Sequence, residues 1–410
     1  MSDIVVVGGG PGGVLLTYLL ARGGASVTLL ESRHDFARRF RGDTLAPGVL
    51  EYLDTLGLAR PLLDEVPHTR SDAFRWHTAE RTWTLVDYRG ASRRFPFYAL
   101  IPQASFLPWL AERARAHGAQ IHMGARFSAL RHDPDDPAGR VCGVAYSVDA
   151  VRHELDAALV VGADGRNSKV RAASGLAATE LGASLDILWH AFPRRADDPS
   201  YSGLDLFGTP TGSVALLDQG RDWQLGWTIR AGSLPEVRAQ GIGALRAAAV
   251  GVLPWLEGRL DDLADVADLT LLPVRITTVE RWTRPGLVLL GDAAHVVSPV
   301  GGNGINLALA DAADLANRLI GPLRRTPPDP AQLDDAAAGL EAARRPAVER
   351  EQRGQVRTER LAAQRIASGD AGPPEALRAL TRVPGFARLA GRRARVEVPA
   401  PVPVIAAGAP

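Results

Sequence analysis

The chain opens with two apolar runs separated by a helical pattern. Residues 4–7 are continuously apolar and β-branched, residues 11–22 carry apolar side chains at helical spacing, and residues 27–30 are apolar again. This order predicts a strand, a helix and a second strand parallel to the first. Parallel sheets are usually covered by helices on both faces, so we expect a doubly wound α/β sheet whose first turn forms the ligand crevice.

Later segments extend this sheet and interrupt it. Residues 159–162 and 287–290 are short apolar runs ending at Gly or Asp, which predicts further buried strands, and residues 106–117 have the pattern of an amphipathic helix. Residues 73–88 and 185–229 instead alternate apolar and polar positions, as in an antiparallel sheet with one packed face. We therefore predict a discontinuous cofactor domain over residues 1–70, 100–178 and 275–370, interleaved with a β-rich substrate domain over 71–99 and 179–274.

The C-terminal part changes character twice. Residues 333–365 are rich in Ala, Glu and Arg, which favours a helix packed back along the cofactor domain. Residues 399–410 are rich in Pro and Ala and are expected to be extended or disordered. We treat residues 371–410 as a separate C-terminal segment with a partly disordered tail.

Composition narrows the classes of partner. The 410 residues carry 47 basic and 46 acidic side chains, a formal charge of +1, so no excess field favours nucleic acid or an anionic membrane. The single cysteine, Cys142, excludes an internal disulfide and a multi-cysteine metal site, and no metal is predicted. Without a secretory signal or an apolar run of membrane-spanning length, the sequence predicts a cytoplasmic protein acting on a small molecule.

The first motif lies at the predicted strand-to-helix turn. Gly8, Gly10 and Gly13 form G-x-G-x-x-G, and Glu31 ends the second strand. The glycines permit a tight turn and a close approach to a pyrophosphate, which the helix N-terminus stabilises. Glu31 can accept hydrogen bonds from ribose hydroxyls and disfavours a 2′-phosphate there. The motif alone does not distinguish FAD from NAD.

Two further motifs follow in order. Residues 162–171 read GADGRNSKVR, and residues 291–306 read GDAAHVVSPVGGNGIN. With the first motif they resemble the three motifs of the class A flavoprotein monooxygenases, the family of 4-hydroxybenzoate hydroxylase, from residue 4 to about residue 319. The resemblance implies a Rossmann-type FAD-binding domain with an interleaved antiparallel substrate domain and C-terminal helices.

The third motif supplies further positions for FAD. Asp292 follows a predicted strand, where its carboxylate can hold a ribityl hydroxyl. Gly301, Gly302 and Gly304 open the next helix and allow main-chain N–H groups to approach the isoalloxazine edge, where the helix dipole stabilises negative charge. Asn306, at the end of the same motif, is included among the cofactor-binding positions.

Other cofactor positions follow from the resemblance. Asp164 resembles the family residue that bridges flavin and nicotinamide binding, and Arg171 resembles its supporting cation. Arg41 and Gln103 match family positions that touch the pyrophosphate and the ribityl chain. The alternatives are a solvated surface cation for Arg41 and a helix-capping residue for Gln103.

On the substrate side, the resemblance assigns a main-chain contact to Pro299. Trp189, Tyr201 and Trp227 are our candidates for an apolar wall over the flavin, with ordinary core packing as the alternative. His295 matches a position that orients a turn by hydrogen bonds, and we expect this structural role rather than general-base catalysis.

The implied reaction is that of an FAD-dependent NAD(P)H monooxygenase, or hydroxylase. NADH or NADPH, bound transiently, reduces FAD, oxygen adds at the flavin C4a, and the hydroperoxide transfers one oxygen atom to an electron-rich carbon, by hydroxylation or epoxidation. Residues 213–220 lack the basic residue with which 4-hydroxybenzoate hydroxylase binds its substrate carboxylate. A larger, less charged phenol, polyketide or terpenoid is therefore expected rather than a simple benzoate.

Related functions stay open at this point. A flavin-dependent halogenase and a geranylgeranyl-reductase-type enzyme share this cofactor fold, although the spacing of Trp223 and Trp227 does not give the W-x-W-x-I-P pattern of halogenases. A non-catalytic FAD- or ligand-binding protein is a third possibility. The sequence does not decide between a monomer and a homodimer.

Overall fold

A computed structural model describes residues 2–37, 43–136, 139–299 and 301–407. The strands, numbered along the chain, are β1 (Ser2–Val7), β2 (Val27–Glu31), β3 (Thr44–Leu45), β4 (Thr69–Ser71), β5 (Ala73–His77), β6 (Thr82–Asp87), β7 (Tyr98–Leu100), β8 (Gln120–Met123), β9 (Arg126–His132), β10 (Val141–Val148), β11 (Val151–Gly162), β12 (Ala178–Glu180), β13 (Leu185–Pro193), β14 (Leu204–Thr209), β15 (Gly212–Asp218), β16 (Asp222–Arg230), β17 (Thr270–Pro273), β18 (Thr277–Val279), β19 (Thr283–Arg284), β20 (Leu287–Leu289) and β21 (His295–Val296).

The helices connect these strands and form most of the C-terminal part. They are α1 (Pro11–Arg22), α2 (Pro47–Thr55), α3 (Ala59–Glu65), α4 (Gln103–Ala116), α5 (Lys169–Ser174), α6 (Leu234–Gln240), α7 (Ile242–Val252), α8 (Gly304–Leu319), α9 (Pro330–Ser368), α10 (Glu375–Leu380), α11 (Phe386–Arg393) and α12 (Pro403–Ala407). Within the described residues, no helix combines the length and the apolar character needed to cross a bilayer.

The first sheet has the strand order β19-β20-β11-β1-β2-β8. From β20 to β8 all neighbours are parallel, and Ile4 of β1 pairs with Leu159 on one side and Val27 on the other. Every residue of β2 is buried, as expected for a strand covered on both faces. The predicted doubly wound α/β architecture is confirmed.

The second sheet has the order β17-β13-β16-β15-β14-β5-β6 and is antiparallel except between β14 and β5. One face packs against α7, through residues such as Trp223 and Leu225. We call the opposite face the roof; it carries Trp189 and Gln224, and Gln224 reaches across to the Asp43 carboxyl in the segment before β3. The roof therefore faces the domain built on the first sheet.

Helix α9 is 39 residues long and contacts both layers. It packs against β11, β19 and β20 of the first sheet and against β15 of the second. The side chain of Gln355 accepts a hydrogen bond of 2.6 Å from the Ser298 main chain, and that of Glu359 accepts one of 3.1 Å from Ser184. The helix extends the predicted segment 333–365 at both ends.

The C-terminal tail differs from the prediction. Residues 399–410 are predicted to be extended or disordered. Residues 399–402 have no regular secondary structure, but residues 403–407 form α12, which packs onto α1. Arg22 donates hydrogen bonds of 2.6 Å to the main-chain oxygens of Ile405 and Ala406, and the Ile405 side chain is fully buried. Composition did not indicate this helix, because the segment is held in place by one buried aliphatic side chain and by hydrogen bonds to its main-chain oxygens. Residues 408–410 lie outside the described part of the chain.

This packing predicts a stability effect. Ile405→Ala should lower the free energy of unfolding by about 2–4 kcal/mol, since a fully buried aliphatic side chain leaves a cavity when truncated. Leu380→Ala is the control, because Leu380 is 46% exposed and surface truncations have small effects. Chemical denaturation of both variants measures the difference. Equal loss in the two variants would show that α12 contributes nothing specific.

Candidate active site

A cleft opens at the carboxyl ends of the parallel strands, where ligands bind in doubly wound sheets. Its cavity volume is about 300 Å³, at the lower end of the roughly 300–1,000 Å³ of an ordinary small-molecule site. We call it the cofactor cleft. Its walls include Gly8, Gly10, Gly13, Glu31, Gln103, Asp164, Arg166, Asp292, Pro299, Gly302 and Gly304. Residues from all three sequence motifs thus meet in one place.

The turn between β1 and α1 has no room for side chains. Gly8 adopts φ +114°, a conformation that favours glycine, and a β-carbon there would overlap the Ala163 carbonyl. A β-carbon at Gly13 would overlap the Gly8 carbonyl oxygen. The main chain is therefore the surface that a ligand meets, and the turn fits a pyrophosphate.

Two helices present their N-termini to the cleft. Gly10 is the N-cap of α1 and Asn303 that of α8, and neither helix has a side-chain cap among the described residues. Gly302 and Gly304, beside the second of these N-termini, line the cleft. Uncapped first-turn N–H groups and the helix dipole both favour an anionic ligand at these two points.

Three acids from the motifs have different surroundings. Glu31 is 3% exposed and accepts hydrogen bonds from the main chains of Gly9, at 2.7 Å, and Arg33, at 2.9 Å. Asp164 accepts from the main chains of Lys169 and Val170 and so caps α5. Asp292 lies on a 3-10 turn with its carboxylate 3.9 Å from the Arg166 Nε. Of the three, Asp292 has no main-chain donor among its described contacts.

A buried charge network supports the turn that carries Asp292. Asp311 is fully buried on α8 and accepts hydrogen bonds from His295 Nε2 at 2.7 Å, Arg344 Nε at 2.8 Å and the Gly291 main chain at 3.3 Å. Burial raises the pKa of Asp311, but His295 and Arg344 outweigh it and hold the pKa below its usual value. His295 thus orients a turn, in the structural role expected for it.

Other predicted cofactor positions lie in different places. The Asn306 side chain, fully buried, bonds the main chains of Thr44, Ala46 and Gly302. The Asn306 side chain therefore holds together the segments that form the cleft wall, and its predicted place among the cofactor-binding positions stays a prediction. Gly301 adjoins the lining residue Gly302 without lining the cleft itself. Arg41 lies outside the described residues, so its predicted pyrophosphate contact stays a prediction.

The three residues predicted to form an apolar wall over the flavin lie in different places. Trp189 lies on the roof, paired with Gly226, where a β-carbon would meet the indole ring at 2.7 Å. Trp227 lies on the opposite face, packed among core residues, with its indole N–H donating to Leu245. Tyr201 packs against that same core and accepts a hydrogen bond from Trp255. The prediction that Tyr201 and Trp227 line the substrate space is therefore wrong, because their side chains point away from the cleft.

Three residues near the site were missed. Arg166 stands inside the second motif but was not singled out, although it lines the cleft. Gln224 and Asp43 meet between the roof and the cofactor domain. The alternation of side chains along β16 could have indicated Gln224, because it places Gln224 on the opposite face of the strand from Trp223 and Trp227. The sequence contained no comparable signal for Asp43.

A doubly wound sheet, glycine turns around one cleft and a second sheet roofing it define a flavoprotein oxidoreductase. The chain belongs to the FAD binding domain family, whose model matches residues 1–349. It is 32% identical over 389 residues to a 6-methylpretetramide 4-monooxygenase of Streptomyces rimosus, covering 94% of this chain and 90% of the relative.

Two further comparisons agree with this family. The ubiquinone hydroxylase UbiL of Rhodospirillum rubrum is 30% identical over 84% of this chain and 78% of its own length. The structure of the OxyS anhydrotetracycline hydroxylase from Streptomyces rimosus superposes with a TM-score of 0.70, at 24% identity, over 98% of this chain and 77% of that one. The superposition establishes the shared fold.

Proposed function

We propose that this protein is an FAD-dependent monooxygenase that uses NAD(P)H and O2 to hydroxylate a polycyclic aromatic molecule. The relatives reported above include a monooxygenase named for 6-methylpretetramide and hydroxylases named for ubiquinone and anhydrotetracycline. The observation that carries the proposal is the glycine-walled cofactor cleft lying beneath a roof of apolar and neutral side chains.

The residues present suit FAD. Gly8, Gly10 and Gly13 would hold the pyrophosphate by main-chain N–H groups, and Glu31 would accept from the ribose. Asp292 would hold the ribityl chain. FAD supplies the oxygen-activating chemistry when bound and reduced, while the protein supplies orientation and electrostatics. The N-terminus of α8 would stabilise negative charge that develops on the ring system.

The roof indicates the substrate class. Around Trp189 the roof carries apolar side chains, among them Ala215, Leu217, Leu272 and Val274. Ser213, Gln224 and Thr228 add neutral hydrogen-bonding groups on the same face. Such a surface excludes water and suits a broad, weakly charged ring system better than a benzoate. Hydroxyls on that ring system would find neutral partners.

The test begins with the protein as purified. Its absorbance spectrum should show oxidised flavin, and NADH and NADPH oxidation should accelerate when polycyclic phenols are added. Oxygen uptake should match formation of a product heavier by one oxygen atom, with label from ¹⁸O2. Flavin retention without substrate-stimulated turnover across a panel of naphthols, hydroxyanthraquinones and tetracycline-like phenols would contradict the proposal.

Trp189 gives a separate prediction for the substrate space beneath the roof. Trp189→Leu should raise KM for a polycyclic phenol about five- to thirtyfold, as expected if one or two kcal/mol of ring contact is lost. It should also increase NAD(P)H oxidation without product, because water gains access. Trp255→Leu is the matched control, since Trp255 packs on the opposite face of the sheet. Equal effects of the two substitutions on KM and coupling would refute the role of Trp189.

A further inference from the structure

The C-terminal segment concentrates positive charge that the composition of the whole chain conceals. Residues 376–396 contain six arginines and no acidic residue, although the complete chain has a formal charge of only +1. Three of these arginines pair with carboxylates: Arg378 with Asp370, Arg388 with Asp87 and Arg395 with Glu51. The other three have no ion-pair partner within the part of the chain that the structure describes: Arg382, Arg392 and Arg393.

Aliphatic side chains beside these unpaired arginines are exposed to solvent. Leu380 is 46% exposed, Val383 55% and Leu389 49%. They are three of the six exposed large apolar side chains among the described residues, although they lie within ten positions of one another. Single exposed apolar side chains are ordinary on protein surfaces, whereas a cluster of them marks an interaction surface.

The inner side of α11 is fixed and its outer side is open. A β-carbon at Gly391 would overlap the main-chain oxygen of Asp87, so this side of α11 lies directly against β6. Helical spacing places Leu389, Arg392 and Arg393 together on the other side of the helix. An apolar side chain and two unpaired cations are therefore presented outward from a rigid support.

The turns before α11 bring the remaining side chains close to that helix. Main-chain hydrogen bonds of 3.0 Å from Val383 to Leu380 and of 3.1 Å from Phe386 to Val383 form two successive turns. These turns lead directly into α11, which begins at Phe386. We call the combined surface the basic apolar patch; it consists of Leu380, Arg382, Val383, Leu389, Arg392 and Arg393.

We propose that the basic apolar patch docks the protein reversibly onto a bilayer that contains anionic lipids. Guanidinium groups bind phosphate in bidentate geometry, and aliphatic side chains gain by entering the boundary between headgroups and acyl chains. Charges of a single sign suit a fluid surface whose headgroups rearrange, whereas a protein partner fixes its register through complementary charges. No exposed side chain of residues 379–393 is aromatic, so the patch offers no platform on which nucleic-acid bases stack.

Docking is separate from the proposed reaction, because the patch shares no residue with the cofactor cleft. It corrects the expectation, drawn from the balanced total charge, that no anionic membrane is a partner. Docking would also hold the enzyme beside weakly charged ring systems dissolved in the bilayer. That consequence alone rests on the proposed function, and vesicle binding is measured without NAD(P)H or a substrate.

The test is sedimentation of the full-length protein, as purified, with vesicles of phosphatidylcholine containing about 30% phosphatidylglycerol. The wild type should sediment with these vesicles and not with phosphatidylcholine alone. About 0.5 M salt should release most of it, because exposed charges are then screened. Replacing Arg382, Arg392 and Arg393 together by glutamine should lower the partition coefficient about a hundredfold, since each cation near the surface contributes roughly fivefold.

The matched control changes the total charge equally at another part of the surface. Arg60, Arg221 and Arg281 are exposed on separate elements, and replacing all three by glutamine should leave vesicle binding unchanged. The apolar contribution is tested by Leu380→Ser with Leu389→Ser, which should weaken partitioning about tenfold or more. Its control is Val151→Ser, since Val151 is 59% exposed on β11. Because the apolar variant keeps all six arginines, it also serves if the arginine variant does not fold.

Each outcome either supports or overturns the docking role. Selective loss of binding in the patch variants, with both controls unchanged, supports it. Equal loss in the Arg60, Arg221 and Arg281 variant would show that total charge matters and the patch does not. Equal binding of the wild type to neutral and anionic vesicles, or tighter binding to duplex DNA than to anionic vesicles, overturns the proposal.

Discussion

Replacing Gly13 by alanine is expected to give a folded protein that no longer retains FAD. The added β-carbon would overlap the Gly8 carbonyl oxygen, so the turn between β1 and α1 must move. That movement would disrupt several main-chain hydrogen bonds to a charged phosphate, each worth about 1.5–3 kcal/mol. Losing two of them weakens binding about a hundredfold or more. Flavin absorbance per mole of purified protein, followed by titration with free FAD, measures the change.

The control for this substitution is Gly243→Ala on α7. A β-carbon at Gly243 meets no described atom within 4 Å, and alanine favours a helix. Gly243→Ala should therefore keep its full flavin content. Circular dichroism distinguishes loss of FAD from loss of fold in Gly13→Ala. Normal FAD affinity in Gly13→Ala would show that the glycine turn does not form the pyrophosphate site.

Replacing Asp311 by alanine is expected to lower the free energy of unfolding more than any other substitution considered. The carboxylate is fully buried and joins His295, Arg344 and the Gly291 main chain, so its removal leaves a buried arginine without its counter-charge. Breaking such a pair costs about 3–5 kcal/mol in the free energy of unfolding. Asp314→Ala, on the same helix, removes a pair with Arg318 that is partly exposed and should cost less than about 1 kcal/mol.

The pH dependence of the Asp311 effect has a definite sign. Because the folded protein holds the pKa of Asp311 below its usual value, the contribution is fully present above the unfolded value of about 3.9. It is lost as pH falls through the lower, folded value. Urea denaturation of wild type and Asp311→Ala should therefore differ most near pH 7 and converge in acid. A difference that grows towards low pH would contradict this account.

The sequence predicted that the three motifs meet in one cleft because the signals for their positions are local. Gly8, Gly10 and Gly13 fall at a strand-to-helix turn, and the turn alone places them on a cleft wall. Asp164 and Asp292 likewise follow strands of one parallel sheet, so their side chains meet at the same edge. Fold class and family followed from three such motifs in order.

The substrate side depended on information that a single strand does not contain. Alternation shows that Trp223 and Trp227 share a face of β16, but not which face looks towards the cofactor. That choice follows from packing: Trp223 and Trp227 lie in the core that includes α7, whereas Gln224, on the other face, contacts Asp43. The contact of Asp43 with Gln224 was missed for a related reason, since the two residues are 181 positions apart along the chain.

Helix α9 limits how the molecule can open. At 39 residues and 1.5 Å per residue it is roughly 60 Å long. Its side chains accept hydrogen bonds from the main chains of Ser298, near the cleft, and Ser184, which precedes β13. A continuous rod fastened to both layers resists a hinge motion that would swing them apart. We therefore expect small molecules to enter and leave the cleft through movements of side chains and short loops, without separation of the two layers.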